Sequence, residues 1–233
     1  MIAHMSLSMR ARANDRSSRS LESRFRLRRF ERVLGLIERT LAERGRCRIM
    51  DVGGTETYWN LVKPRIARPG VEVWLCNLTA PEVADTGLFV PVAGDACDMS
   101  EHADNSFDLV HSNSVIEHVG GWRDMRRMAE NVRRLAPAYY VQTPYFWFPI
   151  EPHFRSVGFH WLPQQMRYRR VMRRANGFRD RQHSVDAAMQ QVESCALLDK
   201  GQMRELFPDA VLNEERVLGV TKSLMAVRER REG

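Results

Sequence analysis

Short apolar runs alternate with amphipathic segments through the middle of the chain. Five runs have the length and the β-branched or aromatic content of buried strands, and they cover residues 46–52, 71–78, 88–92, 107–113 and 138–143. Strands that alternate with helices are typical of a doubly wound, mostly parallel α/β sheet with helices on both faces. The sequence therefore predicts this fold class for the body of the chain.

Two long segments have helical periodicity. Residues 122–136 place Met125, Met128, Val132 and Leu135 on one stripe. Residues 21–45 repeat apolar positions every three to five residues with arginines between them, which predicts an amphipathic basic N-terminal helix. Because charge runs are usually solvated, we expect this helix to pack on the edge of the sheet with a solvated basic face. Weak contact with a membrane surface, or with nucleic acid, is the alternative.

The pattern changes after residue 144. Residues 145–154 are aromatic and interrupted by prolines, too irregular for a strand or a helix, whereas 162–174 and 184–205 have helical patterns. Residues 212–220 and 222–228 predict a closing antiparallel strand pair with Gly219 near the turn. We therefore divide the chain into a disordered Arg/Ser-rich tail (1–20), the basic helix (21–45) and a single domain (46–233) with a substrate-covering insertion (146–205).

Composition narrows the class of protein. Residues 1–50 contain 13 Arg and 5 acidic residues, whereas the rest of the chain has 23 basic and 24 acidic residues, so the formal charge of +7 belongs to the N-terminal part. This distribution argues against a nucleic-acid-binding core. No apolar run approaches the ~20 residues of a membrane span, and the start lacks a signal-peptide pattern, so we expect a cytoplasmic protein.

The four cysteines have no zinc-like spacing. Cys47, Cys76, Cys97 and Cys195 form no C-x-x-C pair and have no histidine at a ligand distance in sequence. The expectation is four reduced, structural cysteines and no metal site.

A glycine turn follows the first predicted strand. Asp51 ends the strand, Gly53 and Gly54 follow, and a helix can begin near Glu56. Glycines at such a turn let the backbone approach a ligand, so this order is typical of nucleotide-like cofactor sites as well as of plain tight turns.

The order of four short motifs gives a resemblance. Asp51-Val52-Gly53-Gly54, Cys76-Asn77-Leu78, Gly94-Asp95-Ala96, and 107–110 together with 115–119 resemble, in order and spacing, the class I S-adenosylmethionine-dependent methyltransferases of the small-molecule, methyltransferase type 11-like branch. The resemblance implies a Rossmann-like fold and S-adenosyl-L-methionine as the cofactor.

The resemblance also implies a set of cofactor-binding residues. It assigns the methionine part of the cofactor to the glycine loop, the ribose to the end of the second strand, the adenine to the end of the third, and the methionine and acceptor to the end of the fourth. The implied residues are Asp51, Gly53, Gly54, Thr55, Asn77, Leu78, Asp95, Ala96, Ser112 and Asn113.

This sequence departs from the family pattern in two places. Thr55 and Thr57 stand where the loop usually has glycines, so the loop geometry must differ or Gly54 must supply the flexibility. Asn77 stands where the family has a carboxylate, and an amide bonds a ribose diol without charge assistance.

Transfer to an oxygen acceptor also requires that a proton be removed. His118, beside Glu117, follows the fourth strand, and Glu151 and His153 lie in the aromatic segment. We expect His118, His153 and Glu151 to be catalytic. Two alternatives stay open. These residues could be structural, with their polar atoms hydrogen-bonded to the protein, or Glu117, His118 and His153 could hold a divalent metal.

The sequence thus predicts a methyltransferase that acts on a small molecule, at oxygen. The alternatives are an RNA or protein methyltransferase that docks through the basic N-terminal segment and a degenerate, non-catalytic binding subunit. A nicotinamide-dependent oxidoreductase is disfavoured because the ribose-binding carboxylate is absent.

Overall fold

The computed structural model describes residues 21–177 and 179–230. In these residues the strands are β1 Cys47–Val52, β2 Val71–Asn77, β3 Phe89–Ala93, β4 Leu109–Asn113, β5 Ala138–Pro144, β6 Ile150–Glu151, β7 Ser156–Val157, β8 Val211–Val217 and β9 Val220–Arg228. The predicted disordered tail, 1–20, lies outside the described residues.

Seven of the strands form one mixed sheet in the order β3-β2-β1-β4-β5-β9-β8. β1 to β5 run parallel, with Cys47 opposite Val71 and Ile49 opposite Leu109, whereas β9 is antiparallel to both β5 and β8. The predicted fold class, including the closing antiparallel pair, is confirmed. Because β1 to β5 are parallel, their carboxyl ends share one edge of the sheet, where such folds bind ligands.

The helices follow the predicted alternation, with shorter elements than expected. They are α1 Leu21–Arg44, α2 Glu56–Trp59, α3 Lys63–Ile66, α4 Trp122–Leu135, α5 Gln164–Arg173, α6 Val185–Glu193 and α7 Lys200–Leu206, with 3₁₀ helices at Ile116–His118 and Phe159–Trp161.

Buried side chains pack on both faces of the sheet. Successive residues of a strand point to opposite faces, so Ile49 joins α1, α2 and α3 on one face while Met50 joins α4 and α7 on the other. The central parallel strands are therefore buried along nearly their whole length, and their mostly apolar runs are the pattern that identified them in the sequence.

Three predicted elements were wrong in detail. The helix expected from residue 56 ends at Trp59, and a separate turn, α3, starts next to Pro64. The segment 184–205 breaks into α6 and α7, because Asp199 caps α7 by accepting from the Gln202 backbone amide at 2.8 Å. The aromatic segment contains a two-residue strand, β6, which pairs with β7.

Helix α1 packs on a face of the sheet, so the predicted edge packing was wrong, whereas Arg28, Arg32 and Arg39 are exposed as expected of a solvated basic face. Phe30 and Ile37 are fully buried in the core shared with β1 and β4. Arg29 belongs to the basic series, yet its side chain is only 11% exposed and pairs with Glu215 on β8 at 3.4 Å.

The predicted substrate-covering insertion, 146–205, has a small core of its own. Phe154 and Phe159 stack with ring centroids 4.1 Å apart, and Val171 of α5 and Ala188 of α6 pack with them. Among residues 21–177 and 179–230, no helix combines the length and the apolar content needed to cross a bilayer.

Replacing Phe30 tests the packing of α1. Phe30→Ala removes a ring that contacts Tyr58 and Trp59, and we expect it to lower the free energy of unfolding by ~3–5 kcal/mol. Urea denaturation measures the change. Leu27→Ala, on the same helix but 37% exposed, is the matched control and should cost far less. Equal effects of the two variants would contradict this packing.

Candidate functional site

The glycine loop takes its shape from two glycines with different roles. Gly53 adopts φ = 77°, a conformation in which a side chain is strained. Gly54 is needed for a different reason: a Cβ at this position would collide with the Asp51 carboxylate. Thr55 is extended at φ = −136° and caps α2 by accepting from the Tyr58 amide at 3.3 Å. Of the two expected possibilities, a different loop geometry or flexibility supplied by Gly54, the structure has the first, because the positive φ lies at Gly53.

Asp51 is 1% exposed, and both of its carboxylate oxygens are engaged. Oδ2 accepts from Trp59 Nε1 at 2.5 Å, and Oδ1 lies 2.6 Å from His111 Nδ1. The His111 ring is stacked between Tyr140 and Phe30, with centroid distances of 5.6 and 6.3 Å. The carboxylate therefore ties the end of β1 to α2 and to β4 instead of extending into solvent.

A cavity of about 200 Å³ lies at the carboxyl ends of β1 and β4. Asp51, Gly53, Gly54, Thr55 and Asn113, all implied cofactor-binding residues, line it together with Arg26, Tyr58 and His111. Arg26 comes from α1, so the N-terminal helix forms part of the wall. The lining is polar, as a site for a charged amino-acid group requires.

A second cavity of about 170 Å³ lies at the end of β3. Gly94 and Asp95 line it, as do residues of the following loop from Asp98 to His102. Asp95 is exposed and accepts from the Cys97 amide at 2.9 Å, whereas Ala96 is half-buried against the core. The structure thus puts the implied adenine-binding pair beside an opening.

The end of β2 lies between the two cavities, because β2 lies between β1 and β3 in the sheet. Asn77 Nδ2 donates to the Gly54 carbonyl oxygen at 2.8 Å and so braces the glycine loop. Leu78 follows and is 57% exposed. An Asp in place of Asn77 could not donate this bond, which gives the departure from the family pattern a physical reason.

The end of β4 is held by the N-terminal helix. Asn113 Oδ1 accepts from Arg29 Nη1 at 2.9 Å. Ser112 is fully buried, and its hydroxyl donates to the Val52 carbonyl oxygen at 3.2 Å, so it connects β4 to β1.

The three predicted catalytic residues come together on the same edge. His118 Nε2 lies 3.0 Å from His153 Nε2, and His153 Nδ1 lies 2.7 Å from Glu151 Oε1. His118 Nδ1 lies 2.7 Å from the Ser194 carbonyl oxygen. All four ring nitrogens thus have partners. Proton removal by these residues stays a prediction, and it requires the two rings to part.

Two further residues complete this cluster. Glu117 is 1% exposed; Oε2 accepts from Thr143 Oγ1 at 3.0 Å, whereas the buried Oε1 has no partner among the described residues. Burial raises the pKa of Glu117 to about 7. Cys195 Sγ lies 3.3 Å from His153 Nδ1, and burial raises the pKa of its thiol well above the ordinary value.

Burial, followed by the electrostatic interaction with the neighbouring His153 ring, lowers the pKa of His118 to about 4. A neutral His118 is therefore the form present near pH 7.

Sequence reasoning missed several residues of both sites. Arg26, Arg29, His111, Thr143 and Cys195 come from segments far apart in the chain. A polar residue inside an apolar strand, as His111 is in β4, was the one available signal. Arg26 and Arg29 could not be separated from the other arginines of α1 by sequence.

Comparison with known proteins supports the predicted family. A family model described as a methyltransferase domain matches residues 35–138, a segment slightly shorter than half of the chain. No curated protein gives a significant match to the sequence.

Solved structures with a related arrangement have low sequence identity. An O-methyltransferase family protein from Burkholderia thailandensis is 13% identical, with a TM-score of 0.49, and the match covers 87% of this chain and 57% of that protein. A SAM-dependent methyltransferase from Methanosarcina mazei is 14% identical over 80% of this chain and 94% of that one, with a TM-score of 0.49.

A third neighbour is a putative Zn-dependent alcohol dehydrogenase from Rhodobacter sphaeroides, 10% identical over 80% of this chain and 85% of that one, with a TM-score of 0.48. None of the three reaches a TM-score of 0.5.

Two glycine substitutions test the geometry of the loop. Gly54→Ala places a methyl group against the buried Asp51 carboxylate, so we expect a loss of ~1–3 kcal/mol in the free energy of unfolding. Gly35→Ala, in α1, has nothing within 4 Å of the new methyl group and should gain up to ~1 kcal/mol. Thermal and urea denaturation compare the two, and a neutral Gly54→Ala would refute the close approach of Asp51.

Proposed function

We propose that the chain binds S-adenosyl-L-methionine along the carboxyl edge of the sheet, since residues 35–138 match the family model of a methyltransferase domain. We propose further that it transfers a methyl group to a small-molecule acceptor, at an oxygen atom. One observation carries the cofactor proposal: two cavities open at the ends of β1/β4 and of β3, on either side of Asn77. A ligand that needs ~300–1,000 Å³ exceeds either cavity alone but fits a site that spans both.

The residues along this edge fit the parts of the cofactor. Gly53, Gly54, Thr55 and Asn113 would hold the methionine part in the polar cavity. Asn77 and Leu78 would face the ribose, and the side-chain oxygen of Asn77, Oδ1, would accept from a ribose hydroxyl while Nδ2 braces the loop. Asp95 and Ala96 would hold the adenine. The bound cofactor supplies a methyl group on a positively charged sulfur.

Asp51 and Ser112 have a different part in this proposal. Both are buried, and their polar atoms bond to protein groups. We assign them as positioning residues that fix the glycine loop and the end of β4, since neither presents a free polar atom to a ligand.

The acceptor side is assigned to the His118–His153–Glu151 group and to the insertion 146–205. Val115, which comes directly before the 3₁₀ helix that carries His118, packs against Gly53, so this group lies next to the glycine loop. Trp147 and Trp161 are 57% and 44% exposed and would supply apolar walls for the acceptor. Glu151 acts through His153 and is a positioning residue. The cytoplasmic location stays a prediction.

Calorimetric titration tests the cofactor. We expect saturable binding of S-adenosylmethionine and S-adenosylhomocysteine and no binding of NADH. Asp95→Ala should weaken binding by about tenfold, the equivalent of one charge-assisted hydrogen bond, without lowering stability. Asp104→Ala is the matched control, because its side chain is 71% exposed and lies outside both cavities. No binding of either sulfur ligand would favour the non-catalytic alternative.

The class of acceptor is tested with methyl-labelled S-adenosylmethionine and a cell extract fractionated into small molecules, RNA and protein. We expect label in the small-molecule fraction. His153→Ala should lose this transfer while it keeps cofactor affinity, because His153 lies on the acceptor side. Label in RNA or protein would contradict the proposed acceptor class, and wild-type transfer by His153→Ala would remove His153 from the reaction.

A further inference from the structure

Three segments that are distant in the sequence bring nitrogen and sulfur ligands together. His118 follows β4, His153 lies in the β6–β7 turn, and Cys195 lies between α6 and α7. One ligand atom from each of the three lies within 4.8 Å of the other two. No spacing in the sequence indicated this group, because the three segments meet only in the folded chain.

Hydrogen bonding fixes the protons on the two rings. His118 Nδ1 faces the Ser194 carbonyl oxygen at 2.7 Å, and a carbonyl can only accept, so Nδ1 carries the proton. His153 Nδ1 faces Glu151 Oε1 at 2.7 Å, and Oε2 of the same carboxylate accepts from the Phe154 amide. Glu151 is thus an acceptor at both oxygens, and His153 Nδ1 also carries a proton.

Two neutral rings with protonated Nδ1 atoms both present a lone pair at Nε2. The two Nε2 atoms are 3.0 Å apart, and the planes of the two rings are nearly perpendicular. Two lone pairs at this distance repel unless a positive species, a proton or a metal ion, is shared between them. Histidines that bind metals donate the other ring nitrogen to a carboxylate or a backbone carbonyl, which is the pattern of both rings here.

The remaining groups favour a metal ion over a shared proton. The Cys195 sulfur, 3.3 Å from His153 Nδ1, gives the group a third atom that can bind a metal ion, whereas a proton shared between the two Nε2 atoms would make no use of it. Glu117 Oε1 is buried without a partner among the described residues, and Glu117 is close enough to affect both His153 and Cys195 electrostatically. Arg167 and Arg179 also act on Cys195, so the surroundings are not simply acidic.

We propose that His118, His153 and Cys195 form a binding site for a borderline-soft divalent ion, Zn²⁺ by preference. Two imidazoles and one thiolate match zinc, whereas Mg²⁺ and Ca²⁺ require oxygen ligands. Three protein ligands leave one position of a tetrahedral ion for Glu117, water or an acceptor oxygen. Glu151 then acts as a positioning residue that fixes the tautomer of His153.

Binding of the ion releases one proton. The Cys195 thiol loses its proton to solvent as the metal–sulfur bond forms, while both imidazoles bind in the neutral form through Nε2. No oxidant or reductant is needed.

The ion would fasten the insertion to the sheet. His118 belongs to the loop after β4, whereas His153 and Cys195 belong to the segment 146–205, so a bound ion crosslinks the two parts of the chain. Metal that binds only the folded chain raises its thermal stability by mass action. This inference does not depend on methyl transfer.

The experiment uses the full chain, freed of metal with a chelator and titrated with Co²⁺ as a spectroscopic substitute for Zn²⁺. We expect one equivalent to bind, with the visible bands of tetrahedral Co²⁺ and the charge-transfer band of a Co²⁺–thiolate bond. Zn²⁺ should displace the Co²⁺ and raise the melting temperature.

Variants separate this site from adventitious binding. Cys195→Ser should lose the charge-transfer band, His153→Ala should lose the site, and Glu151→Gln should weaken affinity ~10–100-fold. Cys97→Ser is the matched control, because Cys97 is also half-buried and free but lies outside the cluster, and it should behave as wild type. Circular dichroism verifies that each variant is folded.

Two outcomes would overturn the proposal. One is that Co²⁺ gives no thiolate band, or binds equally well to Cys195→Ser and His153→Ala. The other is that nitrogen-15 spectra of the metal-treated protein still show a single proton shared between the two rings. Titration of the same samples with S-adenosylmethionine keeps the questions apart, since a protein that binds the cofactor but no metal would refute only the metal site.

Discussion

The carboxylate of Asp51 is the constraint on which the cofactor edge depends. A charge buried without partners costs several kcal/mol, so the fold must supply hydrogen-bond donors to both oxygens. Trp59 and His111 supply them, and each comes from a different element. These hydrogen bonds connect α2 and β4 to the end of β1. The carboxylate that they hold in place leaves no space for a side chain at Gly54. Contacts with the protein core, made through Asp51, therefore set the conformation of the glycine loop without any ligand.

The N-terminal helix takes part in the same arrangement. Phe30 stacks near His111 and is fully buried, while Arg29 holds Asn113 at the end of β4. Arg26 reaches the wall of the first cavity. A helix that the charge pattern describes as a solvated basic surface is thus part of the candidate site. Arg29 thus satisfies polar groups on both β4 and β8.

The second cluster lies where the insertion meets the sheet, and its residues connect the proposed acceptor side with the loop after β4. Glu117 and Thr143 belong to the α/β body, whereas His153 and Cys195 belong to the insertion. Thr143 bonds one oxygen of the buried Glu117 carboxylate within the α/β body, and the contact between His118 and His153 crosses the junction. Acid–base chemistry and metal binding would use the same ring nitrogens. Both depend on the position of the insertion relative to the loop after β4, because that position sets the distance between His118 and His153.

The sequence by itself determined the fold class, the order of strands and helices and the residues at the carboxyl edge. Those features are local: apolar runs identify strands such as β1, and the glycines mark the turn that follows. Only the tertiary structure decided which groups meet. The contact of Asp51 with His111, the position of α1 and the meeting of His118 with Cys195 join residues tens of positions apart, and a single sequence carries no signal for such contacts. The same distance explains why Arg29 reads as solvated in the sequence and is nearly buried in the fold.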